Sequence, residues 1–250
     1  MTGLLQLVTD QYSRKARFLP AVLVVAPVCV LAGLAIPVAT QIGTKVAALA
    51  AACLPFLVSQ IVRDRGLLIE SRLFVAWGGR PSEVLLRWRD APSRTAVERR
   101  HRLVETHFGI ALPDAAAEAA DPAEADAVYA IATAALRERT RDRDRFPLVF
   151  AELVAYGFRR NGYACRLPAI AVCMLTAAGT VVLARWSVVP LGWKQQTGLI
   201  FFDALWAAVW WLGFTPVAVQ RVAQKYANQL FVSLENLNTG PVSNSQPTEP

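Results

Sequence analysis

Apolar and polar positions fall in long blocks along this chain, not in short alternations. Residues 18–44 run 27 positions without a charge, 46–62 run 17 and 167–184 run 18; a fourth stretch, 195–220, is interrupted only by Asp203. A helix needs about 20 such residues to cross a hydrocarbon core of ~30 Å, so the pattern predicts four transmembrane helices. Residues 41–45 read as a tight outer turn between the first two, and residues 185–194 as a short outer loop between the third and fourth. Each pair is then an antiparallel hairpin.

The chain between the hairpins changes to helical spacing with clear start and stop signals. Gly78-Gly79 should end the inward extension of the second span, and Pro81 suits the first turn of a helix reaching 89. Ser93 or Thr95 can cap a helix running to Phe108, closed by Gly109. Asp121-Pro122-Ala123-Glu124 is a start signal for a helix on which Val128, Ile131, Ala132, Ala135 and Leu136 share a face. Phe146-Pro147 opens another helix, which Asn161-Gly162 should end just before the third span. After the fourth span, Val222, Tyr226, Leu230, Leu234 and Leu237 mark one side of a further helix. The sequence thus predicts an all-α integral membrane protein: four transmembrane helices as two antiparallel hairpins with a helical cytoplasmic insert. The segments are an interfacial leader (1–17), a first transmembrane hairpin (18–63), a cytoplasmic helical domain (64–165), a second transmembrane hairpin (166–220), a cytoplasmic helix (221–238) and a disordered tail (239–250). The insert is rich in alanine, so its core should be thin and lean on the span extensions or on other copies.

Composition agrees with the blocks. Hydrophobic residues are 54% and charged residues 18%, against about 45–50% and about 25% in soluble domains, which excludes a water-soluble enzyme with one buried core. Net charge is +7, and 22 of the 26 basic residues are arginine. Their placement explains the excess. The leader carries Arg14, Lys15 and Arg17, and residues 63–166 carry eighteen arginines and fifteen acids, whereas the two outer loops hold only Lys45, Arg185 and Lys194. Basic residues near span ends favour the cytoplasmic side. Both termini and the insert are therefore expected inside a bacterial inner (plasma) membrane, with no nucleic-acid partner implied. Cys29, Cys53 and Cys173 lie in spans and Cys165 at a span edge, where they act as small apolar residues.

Few residues offer chemistry. Asp203 is a formal charge inside a span, and Trp206, Trp210 and Phe214 recur on its helix face. Asp203, Trp206 and Trp210 are candidates for a permeation path, because intramembrane charges cost about 2.5–3.5 kcal/mol and tend to mark function. The competing expectation is pairing with Lys194 or Arg185 at the outer boundary. Arg159 and Arg160, set among Tyr156, Phe158 and Tyr163, are candidates for lipid phosphate or a small phosphorylated ligand, since guanidinium suits bidentate phosphate contact. Glu98, His101 and Glu105 follow i, i+3, i+7 without a second ligand helix, so no metal is expected. No catalytic motif and no cofactor signature occurs, and the chain is not expected to be an enzyme.

The segments Trp77-Gly78-Gly79-Arg80-Pro81 and Tyr156-Gly157-Phe158-Arg159-Arg160-Asn161 resemble stretches of uncharacterised bacterial multi-pass membrane proteins. The layout, two hairpins around a cytoplasmic helical insert, is similar to that of small membrane effectors of anti-phage defence systems. That resemblance implies an oligomeric membrane protein acting as a cytoplasmically controlled pore or membrane-perturbing effector, with a role in bacterial defence. Polar span positions are sparse (Ser59, Gln60, Thr176, Thr180, Thr215), so one copy encloses no wide water path and a pore needs a homo-oligomer. Ala47 with Ala51, and Ala48 with Ala52, permit close helix contact. The alternative is a non-conducting membrane anchor or scaffold that recruits a soluble partner through its cytoplasmic domain. The implied partners are the lipid bilayer, further copies, and a cytoplasmic protein or small phosphorylated signal.

Overall fold

The computed structural model describes residues 10–35, 41–186 and 191–238, with side chains described in 10–34, 53–186 and 191–235. Most of the leader, the side chains of the first part of the expected second span with its alanine pairs, most of the loop before Leu191 and the tail from 239 lie outside the described residues. Every regular element among the described residues is a helix. Contacts divide the chain into two units: Met1–Leu73 with Val154–Val222, and Phe74–Leu153 with Ala223–Pro250.

In the first unit, Asp10 accepts a hydrogen bond from the Ser13 N–H at 2.9 Å and opens a π-helical turn, Ser13–Phe18, that runs straight into α1 (Leu19–Ala35). The leader is therefore not separated from the first span at 17/18, and Ser13–Leu34 forms one long apolar helix. α2 covers Gln41–Ala76. Its helical backbone begins at Gln41, so 41–45 are the first turn of α2 and not the outer turn expected there.

α7 covers Pro147–Arg185 and passes through Asn161-Gly162 without a break. The expected stop fails because a glycine in mid-helix costs only about 1 kcal/mol and packing here demands one. A Cβ at Gly162 would collide with the Phe214 ring, and one at Gly66 of α2 would collide with the Asn161 side chain. α8 (Trp193–Gly213) and α9 (Pro216–Asn238) divide within the expected fourth span, 195–220, and not at its inner end. They bend by 50° at 214–215. Pro216 has no N–H and disfavours helical backbone at Thr215, and the Thr215 hydroxyl then accepts from the Ala218 N–H at 3.2 Å to start α9. Two helices, Ser13–Leu34 and Pro147–Arg185, are long and apolar enough to cross a membrane, and a third if α8 and α9 count as one bent span.

In the second unit the cap signals act as the residue types dictate. Gly78 (φ 75°) and Gly79 (φ 145°) end α2 in a conformation that side chains disfavour. Pro81 opens α3, which is only Pro81–Val84 long before the chain turns. Ser93 caps α4 (Arg94–Phe108), closed by left-handed Gly109. Asp114 caps a short α5 (Ala115–Ala120) that no apolar spacing announced. Asp121 accepts from the N–H groups of Ala123 and Glu124 to open α6 (Pro122–Arg139). Leu86, Val104, Tyr129, Ala132, Leu136 and Phe146 form the core here, and Leu230, Phe231 and Leu234 of α9 complete it.

Candidate functional site

A proline within a helix frees the carbonyl four residues before it, because it brings no N–H to the ladder. In lipid that carbonyl needs a partner from elsewhere in the protein. Pro20 frees Ala16 O, and the Asn161 side-chain amide of α7 donates to it at 2.6 Å. Pro27 frees Leu23 O, and the Trp206 indole N–H of α8 donates to it at 2.9 Å. The end of α8 has the same need, and Arg159 Nη1 donates to Gly213 O at 2.8 Å. These three carbonyls are thus each matched by one donor from a neighbouring helix.

This matching fixes the roles of several expected site residues. Trp206 is half-buried, stacked on Phe202 at 5.6 Å between ring centroids, and its N–H is committed to Leu23 O. Trp210 is 1% exposed and stacks on Phe214 at 4.6 Å. It packs among Ala21, Val24, Val62, Cys165 and Ala169, so it belongs to the apolar core of this unit.

Asp203 is buried among helices, 4% exposed, beside the Thr176 hydroxyl and Cys173 of α7. It makes no ion pair with Lys194 or Arg185, so the expected pairing at the outer boundary is replaced by an inward position. Nine residues separate it from Lys194, about 13 Å along a helix axis. Thr176 likewise lies midway between Arg166 and Arg185 in α7. The carboxyl group therefore sits near the middle of the apolar length, enclosed with Thr176 and Thr180, both buried.

Arg159 and Arg160 are engaged by protein rather than presented to phosphate. Arg159 caps α8 and lies over the Phe214 ring at 5.8 Å. Arg160 is 7% exposed and pairs with Glu70 of α2 at 2.9 Å, while Tyr156 donates its hydroxyl proton to the same Glu70 oxygen at 2.7 Å. Arg160 Nε and Nη2 also reach Asn161 Oδ1 at 3.3 Å. The expectation of lipid or ligand phosphate at this pair gives way to a Glu70–Arg160–Asn161 chain of polar contacts between α2 and α7. Glu70 does not stand out in the sequence, and Asn161 reads there as part of a helix stop.

The second unit has its own polar centre, around Glu118. This carboxylate is 1% exposed and accepts from Trp88 N at 2.8 Å, Arg89 N at 3.1 Å, Arg89 Nη1 at 3.0 Å and the Tyr129 hydroxyl at 2.6 Å. Burial alone would raise its pKa, but those hydrogen bonds hold it below the ordinary carboxylate value. Arg87 links the same loop to Asp126 at 2.8 Å and to Gly78 O at 2.6 Å. A Cβ at Gly79 would press on its guanidinium. His101 turns inward between the Trp88 and Tyr129 rings with Nε2 2.8 Å from Leu86 O, while Glu98 and Glu105 are exposed, so the three do not converge. Burial pushes the His101 pKa down, against the Leu86 carbonyl and Glu118. The chemistry of this centre is the fixing of a loop: four donors on one carboxylate, with no open position beside it. Comparison with protein-family models, curated proteins and solved structures found no match for this chain.

Proposed function

We propose that this chain is a multi-pass membrane anchor whose first unit resides in lipid and whose helical second unit is the part offered to a soluble partner. One observation carries the reading: the first unit encloses polar side chains beside its apolar core while large apolar side chains cover its outside. Ser59, Asn161, Thr176, Thr180 and Asp203 are buried, while Leu167, Met174, Leu175, Phe201 and Leu212 are each about two-thirds or more exposed. Soluble proteins keep contiguous exposed apolar surface small, whereas lipid-facing helices turn apolar groups outward and polar ones inward. The four-span arrangement belongs to this proposal, with α2 as the second span and the bent α8–α9 pair supplying the fourth. So do the bacterial inner membrane and the cytoplasmic placement of both termini, which rest on the basic leader and insert. Single cysteines at Ser187 and Ser243, in a chain lacking the four native ones, test the topology: an impermeant thiol reagent should label the first in intact cells and spare the second.

The second reading is the pore or membrane-perturbing effector, acting as a homo-oligomer, with a role in defence. Asp203 near mid-span favours it. Dye and ion flux from liposomes holding the purified protein separates the two readings. Absence of flux in the presence and absence of a cytosolic extract supports the anchor, and flux abolished by Asp203→Asn overturns it.

A further inference from the structure

The level of the Asn161–Ala16 bond and the Gly66–Asn161 contact is rich in basic side chains. Arg14, Lys15, Arg63 and Arg65 lie within three residues of Ala16 or Gly66 and are exposed, with Asp64 the acid among them. Arg166, one turn beyond Asn161, is the residue whose surroundings are built. Its guanidinium carbon lies 3.8 Å from the Trp211 ring centroid. Its Nε is buried without an acceptor, and no carboxylate among the described residues pairs with it. The indole packs over the guanidinium, and the side chain is half-buried. A planar guanidinium matches two oxygens of a phosphate.

Depth selects the source of the phosphate. Arg166 precedes the 18 uncharged residues 167–184, and Arg185 follows them; at 1.5 Å per residue this is about 27 Å. On α8, 17 residues separate Lys194 from Trp211, about 25 Å. Both helices bracket one slab close to the hydrocarbon thickness, with Arg166 and Trp211 together at one face, where phosphodiesters lie. Resting on the membrane reading above, we propose that Arg166 and Trp211 form a binding site for the headgroup phosphate of an anionic glycerophospholipid, which the neighbouring basic residues favour over a zwitterionic one.

The test is native mass spectrometry of the full-length protein released from nanodiscs containing phosphatidylglycerol and phosphatidylcholine, counting retained lipids. Wild type should keep phosphatidylglycerol preferentially, and Arg166→Gln should lower that retention by about tenfold, the scale expected for one bidentate charged contact. Arg166→Lys should keep part of it and Trp211→Leu less than wild type, while Arg185→Gln at the opposite end should match wild type. Millimolar inorganic phosphate should leave retention unchanged; displacement of the lipid would make free phosphate the ligand and overturn the lipid assignment. Co-flotation with vesicles and unchanged elution in gel filtration show that each variant inserts and folds. A wild type that inserts without lipid preference, or an Arg166→Gln variant that inserts and retains lipid fully, overturns the site and spares the anchor. A wild type that fails to float with vesicles overturns the membrane reading itself.

Discussion

The two units solve the same problem, a buried polar group, in opposite ways. In the first, the groups needing partners are main-chain carbonyls stranded by Pro20, Pro27 and the end of α8, and single side chains from neighbouring helices reach them. In the second, the group needing partners is one carboxylate, Glu118, and two main-chain N–H groups, a hydroxyl and a guanidinium converge on it. The difference follows from the group to be satisfied. A carboxylate such as Glu118 is buried at low cost only when fully hydrogen-bonded, whereas a stranded main-chain carbonyl needs a single donor. The first unit is therefore fastened by several independent bonds, and the second depends on one centre.

If so, the second unit should be the more fragile to a single change. Removing one member of a buried, hydrogen-bonded charge pair costs about 3–5 kcal/mol, so Glu118→Ala should release the 85–90 loop and loosen α6. Hydrogen exchange on the full-length protein in micelles reads this directly. Amides of α6 should lose protection while those of α8 keep theirs; protection equal to wild type in α6 would break the comparison.

The first unit makes a sharper demand, because each donor is tied to a particular proline. Asn161→Leu should orphan Ala16 O at about 1–3 kcal/mol. Pro20→Ala restores the missing N–H, so in that background the same change should cost only a few tenths. Unfolding in mixed micelles of the four proteins that make up this cycle gives the coupling. Strict additivity would mean that the Asn161 bond does not answer Pro20.

Acid should separate the units as well. Both His101 and Glu118 have pKa values lowered by folding. A lowered folded pKa contributes stability that is complete above the unfolded pKa and lost as pH falls through the folded one. The second unit should therefore begin to weaken below the ordinary histidine value of 6.5, and again below the ordinary glutamate value of 4.5. His101→Asn should remove the first step and leave the second. Thermal melts between neutral and acid pH check this, and loss of both steps together would detach His101 from its assignment.

How legible these features were depends on the range of the signal. The start and stop residues Ser93, Gly109, Asp121 and Pro147 act on their own turn, so sequence and structure agree there. Asn161-Gly162 reads as a stop by the same local rule and is not one. Its glycine admits the Phe214 ring and its asparagine answers a carbonyl 145 positions earlier. Apolar block lengths located the long helices but not the bend at 214–215, although Pro216 marked the place. Asp203, Trp206 and Trp210 share an inward face as their spacing implied. What spacing could not convey is that Trp206 answers Pro27, or that Arg160 faces Glu70 and not water. Those pairings are long-range, and one sequence carries no record of them.

The smallest expected effect is also the most discriminating for Trp206, a residue that sequence alone places beside a permeation path. Its N–H to Leu23 O bond joins α8 to α1, and such interhelical bonds in membranes average about 0.6 kcal/mol. Trp206→Phe keeps an aromatic ring to stack on Phe202 and removes the donor. If Trp206 is a fastening for the Pro27 defect, the variant should lose roughly that amount in mixed-micelle unfolding, and Pro27→Ala should erase the loss. Any membrane flux should then be the same for Trp206→Phe as for wild type, because the carboxyl group of Asp203 keeps its place beside Thr176 through α7 and not through the indole. Should Trp206→Phe instead leave stability untouched and alter flux, the indole would be part of a path, and the inward polar face of the first unit would have to be read as a conduit.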